Sequence, residues 1–289
     1  MRQEKDKTAQ IEDLIPKAVN GSKGALEEIV RGIQKDVYSL SLRMLLDQQD
    51  AEDIAQEILV TVITNLKGFH FEGSFRAWVL RIAVNKIKGA RRTRAEKKMT
   101  PVENLDEILD RYEARGWFSK PLDAPEAYLE VETRSICTHA LLLYLDRTHR
   151  MAFILGVVME VSSRDGARIL DISEAAYRKR LSRARLKIKD FLKNNCSIFN
   201  ASNRCQCRHI LPAYLKNGWI NPDKPMFTDK HGDVEPPAQL GLYMQEMHEL
   251  KQLSIIYHSL PPSKFDFVDA VKDIYQNSRY RIISDSRID

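Results

Sequence analysis

The sequence predicts an all-α protein: two small helical domains joined by an acidic linker and followed by a helical C-terminal extension. Three observations carry this. Apolar residues recur at helical spacing through both predicted domains. Residues 99–122 break the period with Thr100-Pro101, Gly116 and Pro121. Positive charge flanks that break: nine Lys or Arg against one acid in 75–98, and eight against two in 174–193, while 99–132 holds nine acids against three bases.

Length and composition bound the rest. A chain of 289 residues with 43% apolar content can form two or three domains with real cores. The net charge of +5 is modest, but its two basic blocks predict two nucleic-acid contacts. No apolar run approaches the ~18 residues of a membrane span. The start, MRQEKDKTAQIEDL, lacks the apolar segment of a secretory signal. Four cysteines are too few for a disulfide scaffold of this length. The expectation is a cytoplasmic protein with reduced thiols and no membrane partner.

Residues 8–19 and 22–46 read as helices broken by Asn20-Gly21, with Ser22 as N-cap; Leu26, Ile29, Val30, Ile33, Val37, Leu40 and Leu45 keep the period of the second. A helix over 50–67 is capped by Asp50 and turns Ile54, Ile58, Val62 and Leu66 inward. Its early acids and amide, Asp50, Glu52, Asp53, Gln56 and Glu57, suit the helix dipole; an acidic docking edge for a protein partner is the functional alternative. After the loop Phe69–Ser74 comes a helix with the apolar stripe Phe75, Trp78, Val79, Ile82 and Ala83. Arg81, Asn85, Lys88 and Arg92 lie along a neighbouring face, where phosphates reward the cations and base edges reward Asn and Arg.

Within 99–122 one short helix is expected near 103–115. The second domain opens near Asp123, with helices at about 125–145 and 147–160 and Cys137 in the core. Ser162-Ser163-Arg164-Asp165 opens a short helix ending near Leu170. Asp171-Ile172-Ser173 turns the chain, and a basic helix runs from Glu174 to about Asn194 with Tyr177, Leu181, Ala184, Ile188 and Phe191 as its packing stripe. Short helix, tight turn and basic second helix are the anatomy of a helix-turn-helix.

The stretches DAEDIAQEILVTVI, GSFRAWVLRIAVNKIKGARR and ISEAAYRKRLSRARLKI, in that order, resemble an extracytoplasmic-function sigma factor of bacterial RNA polymerase over about residues 10–195. The resemblance implies a region 2 domain at 1–98, an acidic linker at 99–122, a region 4 domain at 123–195 and an extension at 196–289. It gives Asp50, Glu52, Asp53, Gln56 and Glu57 the docking role on core RNA polymerase. It makes His70, Phe71, Glu72, Arg81, Asn85, Lys88 and Arg92 the readers of the promoter −10 element, with a flipped base held by the 69–74 loop. Trp78 stays core. Glu174, Ala175, Arg178, Lys179 and Ser182 would read −35 DNA, with Arg164, Arg180 and Arg183 on phosphates. The chain departs from the family where Ala175, Ala176 and Tyr177 replace a small residue and Thr-Val, where Arg178-Lys179-Arg180 replaces Lys-Ser-Arg, and where Ser163, Arg164 and Gly166 replace an acidic surface pattern.

Past residue 195, Cys196, Cys205, Cys207 and His209 form C-x8-C-x-C-x-H, a complete tetrahedral donor set for zinc or another thiophilic metal; three ordinary cysteines or a redox pair are the alternatives. Helices are expected at about 238–259 and 265–277, as a built-in regulator. The function expected is a sigma factor, not itself an enzyme, with promoter DNA, core polymerase and an anti-sigma factor as partners. A stand-alone helix-turn-helix regulator is the first alternative. A metal-dependent enzyme is the second, weakened because no motif pairs a general base with the cysteines.

Overall fold

The computed structural model describes residues 10–69, 74–91, 105–116, 127–225 and 267–269. All regular elements among them are helical, as the sequence predicts; the only extended pairing is an isolated bridge between Cys196 and Cys205. The expected helices at 238–259 and 265–277 lie outside the described residues, apart from 267–269. The chain packs as two units. One contains 1–97, 162–177 and 262–289, and the other 98–161 and 178–261.

The first unit is built on α1 (Ile15–Val19), α2 (Lys23–Leu45), α3 (Gln48–Thr64) and α4 (Phe75–Gly89), with α8 (Ser163–Leu170) packed on α4. Ser22 caps α2 as expected, its hydroxyl accepting from the Ala25 amide at 3.3 Å. The α2 end bends through Leu46 at φ +58. This sharp turn lets the next helix begin early: the cap of α3 is Asp47, whose carboxylate accepts from the Asp50 amide at 3.0 Å, so Asp50 is inside the helix. Ser74 caps α4 through the Ala77 amide, and the Glu12 carboxylate accepts from the Phe75 amide at 2.8 Å.

The core of this unit joins Ile29, Val30, Ile33, Val37 and Leu40 of α2, Ala51, Ala55, Ile58, Leu59 and Val62 of α3, and Phe75, Val79, Leu80, Ala83, Val84 and Ile87 of α4. Each large side chain so buried contributes about 1.5–3 kcal/mol. The α4 stripe is wider than its spacing predicts. Leu80, Val84 and Ile87 are buried, while Trp78 and Ile82 are only half-buried, because α8 covers part of the helix that α2 and α3 leave open. Trp78 leans on Phe75, with ring centroids 5.6 Å apart, and on Phe69 at 5.4 Å. Phe267 is buried 5.7 Å from the ring of Tyr38, so the extension contributes to this core.

The second unit holds α5 (Leu105–Ala114), α6 (Ala127–Leu141), α7 (Arg147–Phe153), the larger part of α9 (Glu174–Asn195) and α10 (Cys207–Lys216). The helix expected in the linker is present as α5, and it is no solvated spacer. Leu109 enters a core with Tyr128, Leu129, Ile210, Leu211, Tyr214 and Ile220. Three of its acids are paired: Arg204 reaches Asp110 and Glu113 at 2.9 Å each and Asp106 at 3.7 Å. Where one helix is expected over 147–160, α7 ends at Phe153 and a wide π turn runs through Ile154–Val158 before Glu160 at φ +52. Buried Arg150 closes the preceding turn, donating to the carbonyls of Leu142 at 3.0 Å and Leu145 at 3.2 Å.

Candidate nucleic-acid and polymerase interfaces

The turn between α8 and α9 is fixed by local hydrogen bonds. Ser162 caps α8 through the Asp165 amide at 3.1 Å. Asp171 takes φ +56, which lets the Ile172 amide donate back to the Ala167 carbonyl at 3.0 Å. Ser173 then accepts from the Ala176 amide at 3.2 Å and starts α9. Tyr177, Leu181, Ala184 and Ile188 are buried along one side of α9. The opposite side exposes two adjacent rows, Glu174–Arg178–Ser182 and Ala175–Lys179–Arg183. Arg180 is half-buried between the sides, and Arg164 is exposed on α8. A side-chain row exposed on one face of a well-anchored basic helix is what entry into a DNA groove requires.

In the first unit the acidic start of α3 presents Asp50, Asp53 and Glu57 exposed, with Glu52 and Gln56 half-buried. Burial, then Asp47 and Asp53 nearby, raise the Asp50 carboxyl above its ordinary value, so negative charge here is crowded rather than neutralised. Gln48 donates to Glu52 at 3.0 Å, and Lys86 lies 3.5 Å from Glu57. Sequence spacing alone did not single out Lys86, which links the acidic edge to α4.

On α4, Arg81, Asn85 and Lys88 are exposed in one row. Lys88 is partly engaged: its ammonium donates to the Leu170 carbonyl, the last of α8, at 3.4 Å. That carbonyl is one a helix end leaves open for a cation. His70, Phe71, Glu72 and Arg92 lie outside the described residues.

The cysteines gather as well. Cys196, Cys205 and Cys207 are close in space, and Cys137 of α6, expected as ordinary core, is half-buried beside them. All four are free thiols. Burial pushes Cys196 up to about 11 and Cys205 up to about 12. Nothing in the spacing of the sequence brings Cys137 to the group, because it sits on a different helix. Among the described residues no three His, Cys, Asp or Glu side chains form a ready-made metal site.

The family described as sigma-70 region 2 matches residues 29–97, and the one described as sigma-70 region 4 matches 135–188. The RNA polymerase sigma-H factor of Pseudomonas aeruginosa is 26% identical over 187 residues, 64% of this chain and 94% of the relative. The extracytoplasmic-function factor SigW of Bacillus subtilis is 27% identical over 188 residues, 64% of this chain and 97% of the relative. Among solved structures, CnrH in complex with the cytosolic domain of CnrY matches with a TM-score of 0.44 and 20% identity, over 62% of this chain and 95% of that one.

A sigma-70 region 2 followed by a sigma-70 region 4, which holds the helix-turn-helix, defines a sigma-70-type initiation factor. Within that class the chain is similar to the extracytoplasmic-function sigma factors, and its function is that of an initiation factor that binds core RNA polymerase and directs it to promoters. Sigma factors are not known as enzymes. No helix among the described residues is long and apolar enough to cross a membrane.

Proposed function

We propose that the acidic start of α3, with Asp50, Glu52, Asp53, Gln56 and Glu57, docks on core polymerase, and that α4 and α9 divide the promoter between them. Arg81, Asn85 and Lys88, with Arg92, follow the opened −10 strand. His70, Phe71 and Glu72 are the candidates for holding a flipped base. Glu174, Ala175, Arg178, Lys179 and Ser182 face the −35 bases, while Arg164, Arg180 and Arg183 hold phosphates. The observation that carries this reading is the exposed polar and cationic row on each of α4 and α9, opposite a fully buried side.

Lys88 bonded to the end of α8 supports a further element of the reading: in the free chain the Lys88 end of the −10 row is engaged by α8, and it is released on polymerase. The extension past 195, whose Phe267 enters the core beside Tyr38, is a built-in regulator. The chain works in the cytoplasm and performs no catalysis itself, and an anti-sigma factor is its natural antagonist.

Run-off transcription with the full chain and core polymerase on promoter libraries tests the reading. Promoter-specific transcripts are expected, with duplex DNA bound tightly only in the holoenzyme. Tight binding to duplex by the chain alone, with no transcripts, marks a stand-alone regulator instead. A chain stopped at Lys193 separates the regulatory role: unchanged transcription and unchanged response to inducer remove it.

A further inference from the structure

The four cysteines converge from three elements. Cys196 follows the last residue of α9. The loop after it returns so that Cys205 pairs with it backbone to backbone, the Ser197 amide donating to the Cys205 carbonyl at 3.1 Å. Asn203 holds that loop shut, its side-chain amide donating to the Lys193 carbonyl at 3.0 Å and the Cys196 carbonyl at 3.1 Å. Cys207 is the first residue of α10; burial pushes its thiol up, and the charge and hydrogen bond of nearby Arg134 pull against that. Because α10 packs on α6 through Ile210, Leu211 and Tyr214, Cys137 of α6 completes the group. Each thiol is within electrostatic reach of the other three.

The surroundings suit a charged centre. Arg134, one turn before Cys137, donates to Cys207, and its Nε is buried with no hydrogen-bond partner. Tyr214 is hydrogen-bonded to Cys137. Arg208 is tied to Glu130 at 2.6 Å, bracing α10 against α6. Apolar packing explains none of this: an arginine and a tyrosine hydroxyl directed at thiols are partners for anionic sulfur.

We propose that Cys137, Cys196, Cys205 and Cys207 form a tetrathiolate site for a thiophilic divalent cation of the zinc class, fastening α6, the end of α9 and the start of α10 together. Four thiolates around a dication carry two net negative charges, and Arg134 offsets part of them. The thiols do not stand in ligating geometry among the described residues, so binding requires them to draw together. Cys137 replaces His209 as the fourth donor on helical grounds: Cys207 and His209 stand two residues apart in α10, and such positions do not face one another. The site lies at the far end of the reader helix, so metal loading anchors α9 to the extension. The inference holds whether or not the DNA contacts are assigned correctly.

The test uses the full chain, purified reduced, stripped of metal and titrated with zinc and with cobalt(II). One equivalent is expected per chain, and the cobalt spectrum should show the intense charge transfer and tetrahedral d–d bands of an all-sulfur site. Cys137→Ser and Cys205→Ser should each weaken uptake, in competition with a chelator, by at least the about 10- to 100-fold that a change outside the ligands costs; Arg134→Ala should fall within that range. His209→Ala should leave affinity and spectrum unchanged. The wild-type spectrum counts sulfurs without any variant, so a misfolded Cys137→Ser leaves the result decisive. No uptake by the reduced chain, a three-sulfur, one-nitrogen spectrum lost in His209→Ala, or native disulfides in place of metal each overturns the proposal.

Discussion

The ring of Tyr177 fills the space that any side chain at residue 166 would need: a Cβ on Gly166 would stand 2.3 Å from Cζ and 2.7 Å from the phenol oxygen. Tyr177 is fully buried, so it cannot swing away. The two departures from the family pattern, a glycine in the first reader helix and a tyrosine in the second, are therefore one packing solution, large on α9 and small on α8. Gly166→Ala should lower stability by about 1–3 kcal/mol through overpacking. Tyr177→Val alone should also destabilise, by leaving a cavity. The double variant should lose clearly less than the sum of the two, measured by urea unfolding of all four chains. Strict additivity would falsify the pairing.

Asp146 makes a pH prediction. Burial pushes its carboxyl up, but bonds from the Thr148 hydroxyl and the His149 amide and ring, with the His149 charge, outweigh this and hold it well below the ordinary carboxylate range. A carboxyl depressed in the folded state adds stability above its unfolded value of about 4, and that stability drains away as pH falls toward the folded value. Asp146→Asn should thus melt lower than wild type at about pH 6–7, with the gap narrowing on acidification. A gap independent of pH would place the role of Asp146 in shape rather than charge.

For the acidic edge of α3, the expected outcome is loss of docking. Asp53→Lys combined with Glu57→Lys should weaken core-polymerase binding by about tenfold, less so at high salt. Both residues are exposed, so the fold should survive. Unchanged affinity would move the docking surface elsewhere.

Arg81→Ala with Lys88→Ala should reduce open-complex formation, read by reactivity of unpaired thymines, while polymerase binding persists. Loss of binding instead would mean that the α4 row belongs to docking.

In the reader helix, Arg178→Ala should cost about 1–3 kcal/mol and relax preference at one −35 position, as expected for a base-edge contact. Arg183→Ala should weaken all sequences alike and reduce the salt slope by about 1. Electrophoretic shifts of holoenzyme on −35 variants distinguish the two; interchange of these behaviours would exchange the assigned roles.

Helix type and order were legible among the described residues between 10 and 195 because caps and apolar periods are local. Ser22, Ser162 and Ser173 cap where the sequence places them. The polar faces of α4 and α9 were legible for the same reason: a helix turns every residue by a known angle, so rows follow from spacing. Boundaries set by the neighbouring turn were not, as the shift of the α3 cap from Asp50 to Asp47 shows. The π turn at Ile154–Val158 was hidden too, since its apolar residues read equally well as α-helix.

The sequence by itself therefore determined an all-helical chain, two basic helices and an acidic edge, which are properties of neighbours along the chain. Only tertiary structure decided what α8 covers on α4, which acids Arg204 holds, why Gly166 must be small, and that Cys137 belongs with Cys196, Cys205 and Cys207. The physical reason is the same in each case. These relations join side chains on different helices, and their distances are set by how apolar faces pack, a quantity that no local spacing contains.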